Sequence, residues 1–347
     1  MTAPPRSTQA LVSRFSAGLP RPMLDVASHL GAVAHAAGCT FVDNDLTACT
    51  AARAAGAPAV VHSDVLPEGV FGTIFFDART YDPGLAAETV MQAAARLAPD
   101  GVLITTARRA DVAPFFSDVT AEGEALVARA AAAAGDVPPW PVYDVAFGGQ
   151  VYQIQSAPGV FSPRGLDEGT RLMLGQIQPR AGARFLDLGC GTGVVSRIAS
   201  DAWGCEVTAV DVSARALRLA AGNAPAARVV ASDGLAALSG GRFDIIASNP
   251  PYHTDFGVAR TFIEGAHRQL ASGGTLYLVV KRADWYVRKV RDLFGGCRLT
   301  EEQGYTVIAA EKRESRPGAA TPAPAPTTRK HAKRQAAATA ARPKRRK

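Results

Sequence analysis

The chain repeats itself, and the repeat limits the folds open to it. LDVASHLGAV, from Leu24, has a counterpart in LDLGCGTGVV, from Leu186. VDND (Val42–Asp45) matches VDVS (Val210–Ser213), and VVHSD, ending at Asp64, matches VVASD, ending at Asp233. FGTIFFDAR from Phe71 pairs with FDIIASNPP from Phe243, and LAPDGVLITTARR from Leu97 with LASGGTLYLVVKR from Leu270. The separation between partners grows slowly, from 162 to 173 residues, and their order never changes. Five pairs in register mark a duplication with small gaps. The 347 residues must therefore form two similar units, each long enough for its own core.

Each half alternates short apolar runs with segments of helical period. In the second half ARFLDL, EVTAVD, RVVASD, FDIIASN and GTLYLVV read as strands, separated by VVSRIASDAW, ARALRLAAGNA and VARTFIEGAHRQL as helices. Strand and helix in alternation predict an α/β fold, two tandem Rossmann-like units with mainly parallel sheets covered on both faces. GGCRLTEEQGYTVIAAEK adds an antiparallel hairpin near the end. The expected division is an N-terminal extension (1–20), a first unit (21–137), a second unit (138–315) and a tail (316–347), with a linker at PPWPVY, Pro138–Tyr143.

Charge separates the tail from the rest. Ten Lys or Arg and no acid lie between Arg316 and Lys347, so the formal charge of +7 becomes −3 over residues 1–315. Rich in Pro, Ala and Thr and without an aromatic residue, this tail is expected to be disordered and drawn to nucleic-acid phosphate; the alternative is a solvated tail that only aids solubility. No run approaches the roughly 18 apolar residues of a membrane helix, and the N-terminus lacks a secretory signal's apolar core. The five cysteines are scattered without zinc-site spacing, so reduced thiols, no metal and a cytoplasmic setting are expected.

Residues of the second half carry the chemistry. DLGCGTG, Asp187–Gly193, follows a strand and opens a helix. Glycines let the backbone turn sharply and let a ligand approach without a Cβ in the way, and the helix start offers N–H groups to an anion. A dinucleotide loop spaces its glycines G-x-G-x-x-G, whereas here Gly189, Gly191 and Gly193 alternate. Asp211, ending the second strand, can accept the hydroxyls of a ribose. Asp233, ending the third, is placed to meet an adenine amine. Val212 and Gly234, beside these carboxylates, complete the expected cofactor set together with Asn249. A strand-to-helix turn with capping acids is the plain alternative.

SNPPYHTD, Ser248–Asp255, ends the fourth strand on the same rim. Proline pushes Asn249 into extended geometry, and Pro250 and Pro251 fix the turn. Asn249 Oδ1 and a neighbouring carbonyl can then accept both protons of one NH₂ group, while Tyr252 can stack on a planar base or amide.

These residues resemble the adenosylmethionine-binding motifs of the class I methyltransferases, whose first motif FLDLGCGTG closely matches. The resemblance implies adenosylmethionine at the C-terminal ends of the strands and a seven-stranded sheet with one antiparallel strand. NPPY resembles the signature of enzymes that methylate adenine N6, guanine N2 or a protein glutamine amide. APGVFSPRGLDEGTRLML (Ala157–Leu174), His253 after the tyrosine and the C-terminal LVVKRADWYVRKVRDLFGG are similar to the bacterial small-subunit (16S) ribosomal RNA guanine-N2 methyltransferases. That likeness implies catalysis by Asn249, Pro250, Pro251 and Tyr252, and substrate contacts from Phe161, Arg164, His253 and Lys281. It also implies a degenerate first unit. There Gly189 and Gly191 correspond to Ala27 and His29, and NPP to Asp77-Ala78-Arg79, so the first unit is expected neither to bind the donor nor to catalyse. The leading expectation is an RNA guanine-N2 methyltransferase, monomeric, with ribosomal RNA or the small subunit as partner. A glutamine-N5 or other nucleic-acid amino methyltransferase, a non-enzymatic RNA-binding assembly factor and a tail-driven DNA-compacting protein are the alternatives.

Overall fold

The computed structural model describes residues 18–131, 139–250 and 256–313. The basic tail therefore lies outside the described residues, as do most of the N-terminal extension and Pro251, Tyr252 and His253.

Two seven-stranded sheets share one plan. The first contains β1 (Met23–Val26), β2 (Thr40–Asp43), β3 (Ala59–His62), β4 (Phe71–Phe76), β5 (Leu97–Thr105), β6 (Phe116–Glu122) and β7 (Ala125–Ala131), in the order β3-β2-β1-β4-β5-β7-β6. A hairpin of β8 (Val142–Phe147) and β9 (Gln150–Gln155) follows. The second sheet holds β10 (Arg184–Leu188), β11 (Glu206–Asp211), β12 (Arg228–Ala231), β13 (Phe243–Ser248), β14 (Leu270–Val280), β15 (Arg298–Glu302) and β16 (Tyr305–Glu311), in the order β12-β11-β10-β13-β14-β16-β15. In each sheet the penultimate strand in that order runs antiparallel to both its neighbours. The repeat in the sequence is thus a repeat of topology, and the seven-stranded sheet with one antiparallel strand that the motif resemblance implied is observed in both halves.

Burial explains the strand sequences. The central strands β1 and β10 are covered on both faces, so MLDV and FLDL are continuous rather than alternating. One face of the second sheet packs Phe185, Ile198, Val207 and Val279, the other Leu186, Ile246, Ile263 and Leu278. Helices begin on side-chain caps that occupy their open N–H groups: Asp45, Asp82, Asp167 and Ser213 each accept from the first turn.

Two expectations need adjustment. The proposed linker ends in structure: Val142 and Tyr143 open β8, and Tyr143 packs on the core of the second half. Its Tyr-Val alternation is a strand signal that the neighbouring prolines masked. Strand β14 starts at Leu270, four residues before GTLYLVV, because Leu270 pairs with Phe243 ahead of a bulge.

The described residues form one compact unit, and the halves meet through equivalent residues. Leu46 N donates to the Val212 carbonyl (2.9 Å), and Ala214 N donates to the Asn44 carbonyl (2.8 Å). Leu46 and Ala214 are counterparts in the repeat, as are Asn44 and Val212, and Asp45 bridges its counterpart Ser213. This is the reciprocity of a two-fold dimer interface, here within one chain. His62 Nε2 lies 3.0 and 2.9 Å from the Asn44 and Val212 carbonyls, which requires its N–H form.

Candidate active site

A cavity of about 680 Å³ opens at the C-terminal ends of β10–β13, within the range of small-ligand sites. Of the predicted residues, Gly189, Gly191, Asp211, Val212, Asp233, Gly234, Asn249, Pro250 and Phe161 all line it.

The glycine loop explains its own spacing. Gly189 has φ +78°, and a Cβ there would meet nothing within 4 Å. The need is backbone conformation, and the space beyond is open. Gly193 answers a different demand: a Cβ would fall 2.7 Å from the Ala220 Cα, so it permits close packing of the helix Val194–Asp201 on the helix Ala214–Asn223. Gly193 thus shapes the loop and does not itself line the cavity.

Asp187 also works from behind the loop. Its Oδ2 accepts from Ser196 N (3.0 Å) and Ser196 Oγ (2.7 Å), tying the strand end to the start of the following helix. Burial raises its pKa to about 6 against these hydrogen bonds. It lines a smaller adjoining cavity with Tyr143, Thr170 and Asn249. Asp211 is nearer the ligand space. It accepts from Gly191 N (3.0 Å) and Ser213 N (2.9 Å), which fixes the carboxylate. Burial pushes its pKa up, with the nearby charge of Asp45 adding in the same direction.

Asn249 is held by residues that the sequence pattern did not single out. Its Nδ2 donates to Asp167 Oδ2 (3.1 Å) and Thr170 Oγ1 (2.9 Å). A carboxylate only accepts, so the nitrogen must face Asp167 and Oδ1 is the acceptor end of the amide. Asp167 is itself fixed by Thr170 N (2.9 Å) and by Tyr305 Oη (2.9 Å). The signal was present in Asp167-x-x-Thr170, a helix N-cap spacing that begins two residues after the end of PGVFSPRG.

The remaining predicted contacts are distributed around the site. Phe161 is 57% exposed at the cavity edge. Arg164 lines an adjoining cleft with Asp82, Pro141 and Pro158. Lys281 follows β14, with its Nζ 4.8 Å from the centre of the Tyr305 ring. Neither basic residue lines the main cavity. Asp45 and Thr47, from the first half, do line it and were not anticipated.

The equivalent place in the first half is altered. Ala27 keeps a left-handed backbone, φ +58°, where Gly189 has its counterpart conformation. His29 opens a short 3₁₀ turn, and its Nε2 is buried among the described residues without a hydrogen-bond partner. Asp25 retains the role of Asp187, accepting from Ser28 Oγ (2.6 Å) and Ala34 N (2.8 Å). At the counterpart of Asn249, Asp77 is paired with Arg79 and accepts from Thr106 Oγ1 (3.0 Å).

Among the described residues there is no cluster of three His, Cys, Asp or Glu able to hold a metal, and no helix long and apolar enough to cross a membrane. All five cysteines are free.

Residues 151–309 match the model of the methyltransferase small domain. Over 160 residues the chain is 40% identical to ribosomal RNA small subunit methyltransferase C of Enterobacter sp. strain 638, covering 44% of this chain and 46% of that one. It is 38% identical over the same length to the protein of that name from Citrobacter koseri. The chain thus aligns with about half the length of the curated relatives it matches. The structure resembles the T. thermophilus 16S rRNA N2 G1207 methyltransferase, determined with AdoMet and guanosine, at a TM-score of 0.76 and 21% identity. That match covers 88% of this chain and 92% of the other, so the two-sheet fold is shared well beyond the part alike in sequence.

Proposed function

We propose that the second half transfers a methyl group from S-adenosylmethionine to the exocyclic N2 amine of a guanine in 16S ribosomal RNA. The observation that carries this reading is the fixed Asn249 amide. Asp167 and Thr170 engage its nitrogen, which makes Oδ1 the acceptor end of the amide, on the rim that also holds the open glycine loop and Asp211. The residues present fit the donor: the cavity is large enough, and Gly189 leaves open space where a side chain would intrude. Asp211 is placed for the ribose hydroxyls, Asp233 and Gly234 for the adenine, and Gly189 and Gly191 for the amino-acid part.

When bound, the donor supplies an electrophilic methyl on a sulfonium. The protein supplies positioning. Asn249 Oδ1 and the Pro250 carbonyl accept the two amine protons, which orients the nitrogen lone pair along the transfer direction and raises its electron density. With the donor bound, the amine held in this way would take its methyl, the donor being left as a thioether, and one amine proton would pass to solvent after the C–N bond forms. No strong base is needed. Tyr252 and His253 are assigned to stacking on and contacting the base. Phe161, Arg164 and Lys281 belong to the rim that receives the RNA around it.

The same reading treats 21–137 as a degenerate unit and 138–315 as the catalytic one, with the chain acting as a cytoplasmic monomer on RNA or the small subunit. The relatives of matching name support ribosomal RNA over a protein glutamine. Tritiated donor offered to small ribosomal subunits, free RNA and release factors tests this. Label is expected on guanine of 16S RNA; label confined to a release factor, or to adenine, contradicts it.

A further inference from the structure

The first half has lost the donor loop and the amide clamp, yet it reaches the intact donor site at two places. One is the cavity wall itself, to which it contributes Asp45 and Thr47 beside Asp211 and Ser213. Asp45 is fixed there, its Oδ1 accepting from Thr47 N (2.6 Å) and Ala48 N (3.2 Å) as a helix cap. The other is the segment Pro158–Phe161, whose Gly159, Val160 and Phe161 line the cavity from the opposite side.

That segment rests on the first half. A Cβ on Gly84, in the first turn of the helix Pro83–Arg96, would fall 2.5 Å from Pro158 Cβ. A Cβ on Gly159 would lie 3.1 Å from Leu85 Cβ. Each glycine therefore lies against a side chain of the other segment with no room for a Cβ of its own. Below the contact sits Arg215, fully buried and four residues beyond Asp211. Its guanidinium donates to the Pro158 carbonyl (2.9 Å) and to Asp64 Oδ2 (3.0 Å), and lies 2.7 Å from Glu88 Oε2. Asp64 and Glu88 belong to the first half, Pro158 to the donor segment, and Arg215 to the helix that starts behind the Asp211 turn. Arg218 joins Asp64 from the same helix (2.5 Å), and Trp140 covers both guanidiniums at 5.0 and 4.1 Å.

A buried charge needs each of its partners, and a guanidinium's fixed fork can serve three at once. A local support for the second half alone would not need two carboxylates from the other half. We propose that the degenerate half is a working part of the donor site: through Arg215 and the Gly84–Leu85 turn it clamps Pro158–Phe161 over the pocket, while Asp45 and Thr47 close its Asp211 end. Arg215 is on this view a positioning residue. The proposal rests on the methyltransferase reading for the identity of the donor, but the clamp itself is independent of it.

The first arm of the test needs no ligand. Hydrogen exchange on the full chain follows the amides of Gly159–Gly165 in wild type, Gly84→Ala and Arg215→Met. Alanine suits a helix's first turn, so Gly84→Ala adds only the wedge against Pro158. Both variants are expected to exchange at least ten-fold faster in this segment, with β10 and β13 unchanged. Unaltered exchange in folded Gly84→Ala overturns the proposal, and that variant decides the matter if Arg215→Met does not fold. The second arm measures adenosylmethionine binding by calorimetry and methyl transfer to small subunits. Donor KM and Kd are expected to rise at least five-fold in Gly84→Ala with kcat within two-fold, and Arg215→Lys, which keeps the charge but loses the fork, falls between wild type and Arg215→Met. Wild-type donor affinity in the variants also overturns the proposal. A wild-type chain that binds no adenosylmethionine contradicts the methyltransferase reading instead, and the exchange arm alone then decides the clamp.

Discussion

The two halves of this molecule share one fold, and on our proposal only the second keeps the site. Both place a buried aspartate at the end of the central strand, Asp25 and Asp187, and both bind it to a serine and a helix N–H. Both place a second carboxylate, Asp43 and Asp211, at the end of the next strand. What differs is what surrounds these anchors. Asp211 faces a cavity past two glycines, whereas Asp43 accepts from Asp45 N and from the Tyr81 hydroxyl (3.3 Å). Asn249 presents an amide oriented by Asp167 and Thr170, whereas Asp77 is neutralised by Arg79. On the proposed reading a sheet's architecture survives the loss of its ligand site, because strand burial and the aspartate-to-helix tie serve folding, whereas Gly189, Gly191 and the Asn249 amide serve the ligand.

The largest difference between the halves is expected at the amide. Asn249→Ala should lower kcat for methyl transfer about 10²- to 10³-fold, the usual effect of removing one preorganised polar contact, and leave donor affinity nearly unchanged. Asp77→Ala should leave kcat alone; a comparable loss there would show that the first half participates in chemistry. Next in size, Asp211→Ala should weaken donor binding about 10- to 100-fold, as loss of hydrogen bonds to a charged group does. Asp43→Ala should cost stability in a thermal melt but not donor affinity.

The paired buried aspartates separate by pH. Burial raises Asp25 to about 7 and Asp187 to about 6, both from 3.8. A carboxyl with a raised folded pKa contributes stability that is complete below the unfolded value and is lost as pH rises through the folded one. Asp25→Asn should therefore raise the melting temperature most above pH 7 and hardly at all near pH 4. The Asp187→Asn effect should already be complete just above pH 6. Coincident profiles would mean the two environments are not distinct. The smallest contrast is in backbone strain: Ala27→Gly should stabilise by about 1 kcal/mol by relieving a left-handed alanine, without creating a second donor site.

Much of this was legible in the sequence. The repeat, the strand alternation and the terminal hairpin foretold both sheets and their antiparallel strand, because buried parallel strands write continuous apolar runs. The glycine loop, Asp211, Asp233 and Asn249 were legible because each must sit at a strand end. Asp167 and Thr170 were harder to see, since a capping aspartate looks the same whether or not it also orients a neighbour. Asp45, Thr47 and Arg215 could not be read at all: their roles arise where one half meets the other, and contacts across a local two-fold leave no periodicity in either segment. Gly193 was legible as a residue but not in its role, which is to admit Ala220 and not the ligand.

The asymmetry between the halves is most directly tested by the stoichiometry of donor binding. Calorimetric titration of the full chain with adenosylmethionine should give one site per chain, abolished or strongly weakened by Asp211→Ala and unaffected by Asp43→Ala. Two sites per chain, or one site that persists in Asp211→Ala and disappears in Asp43→Ala, would contradict the assignment of the intact site to the second half.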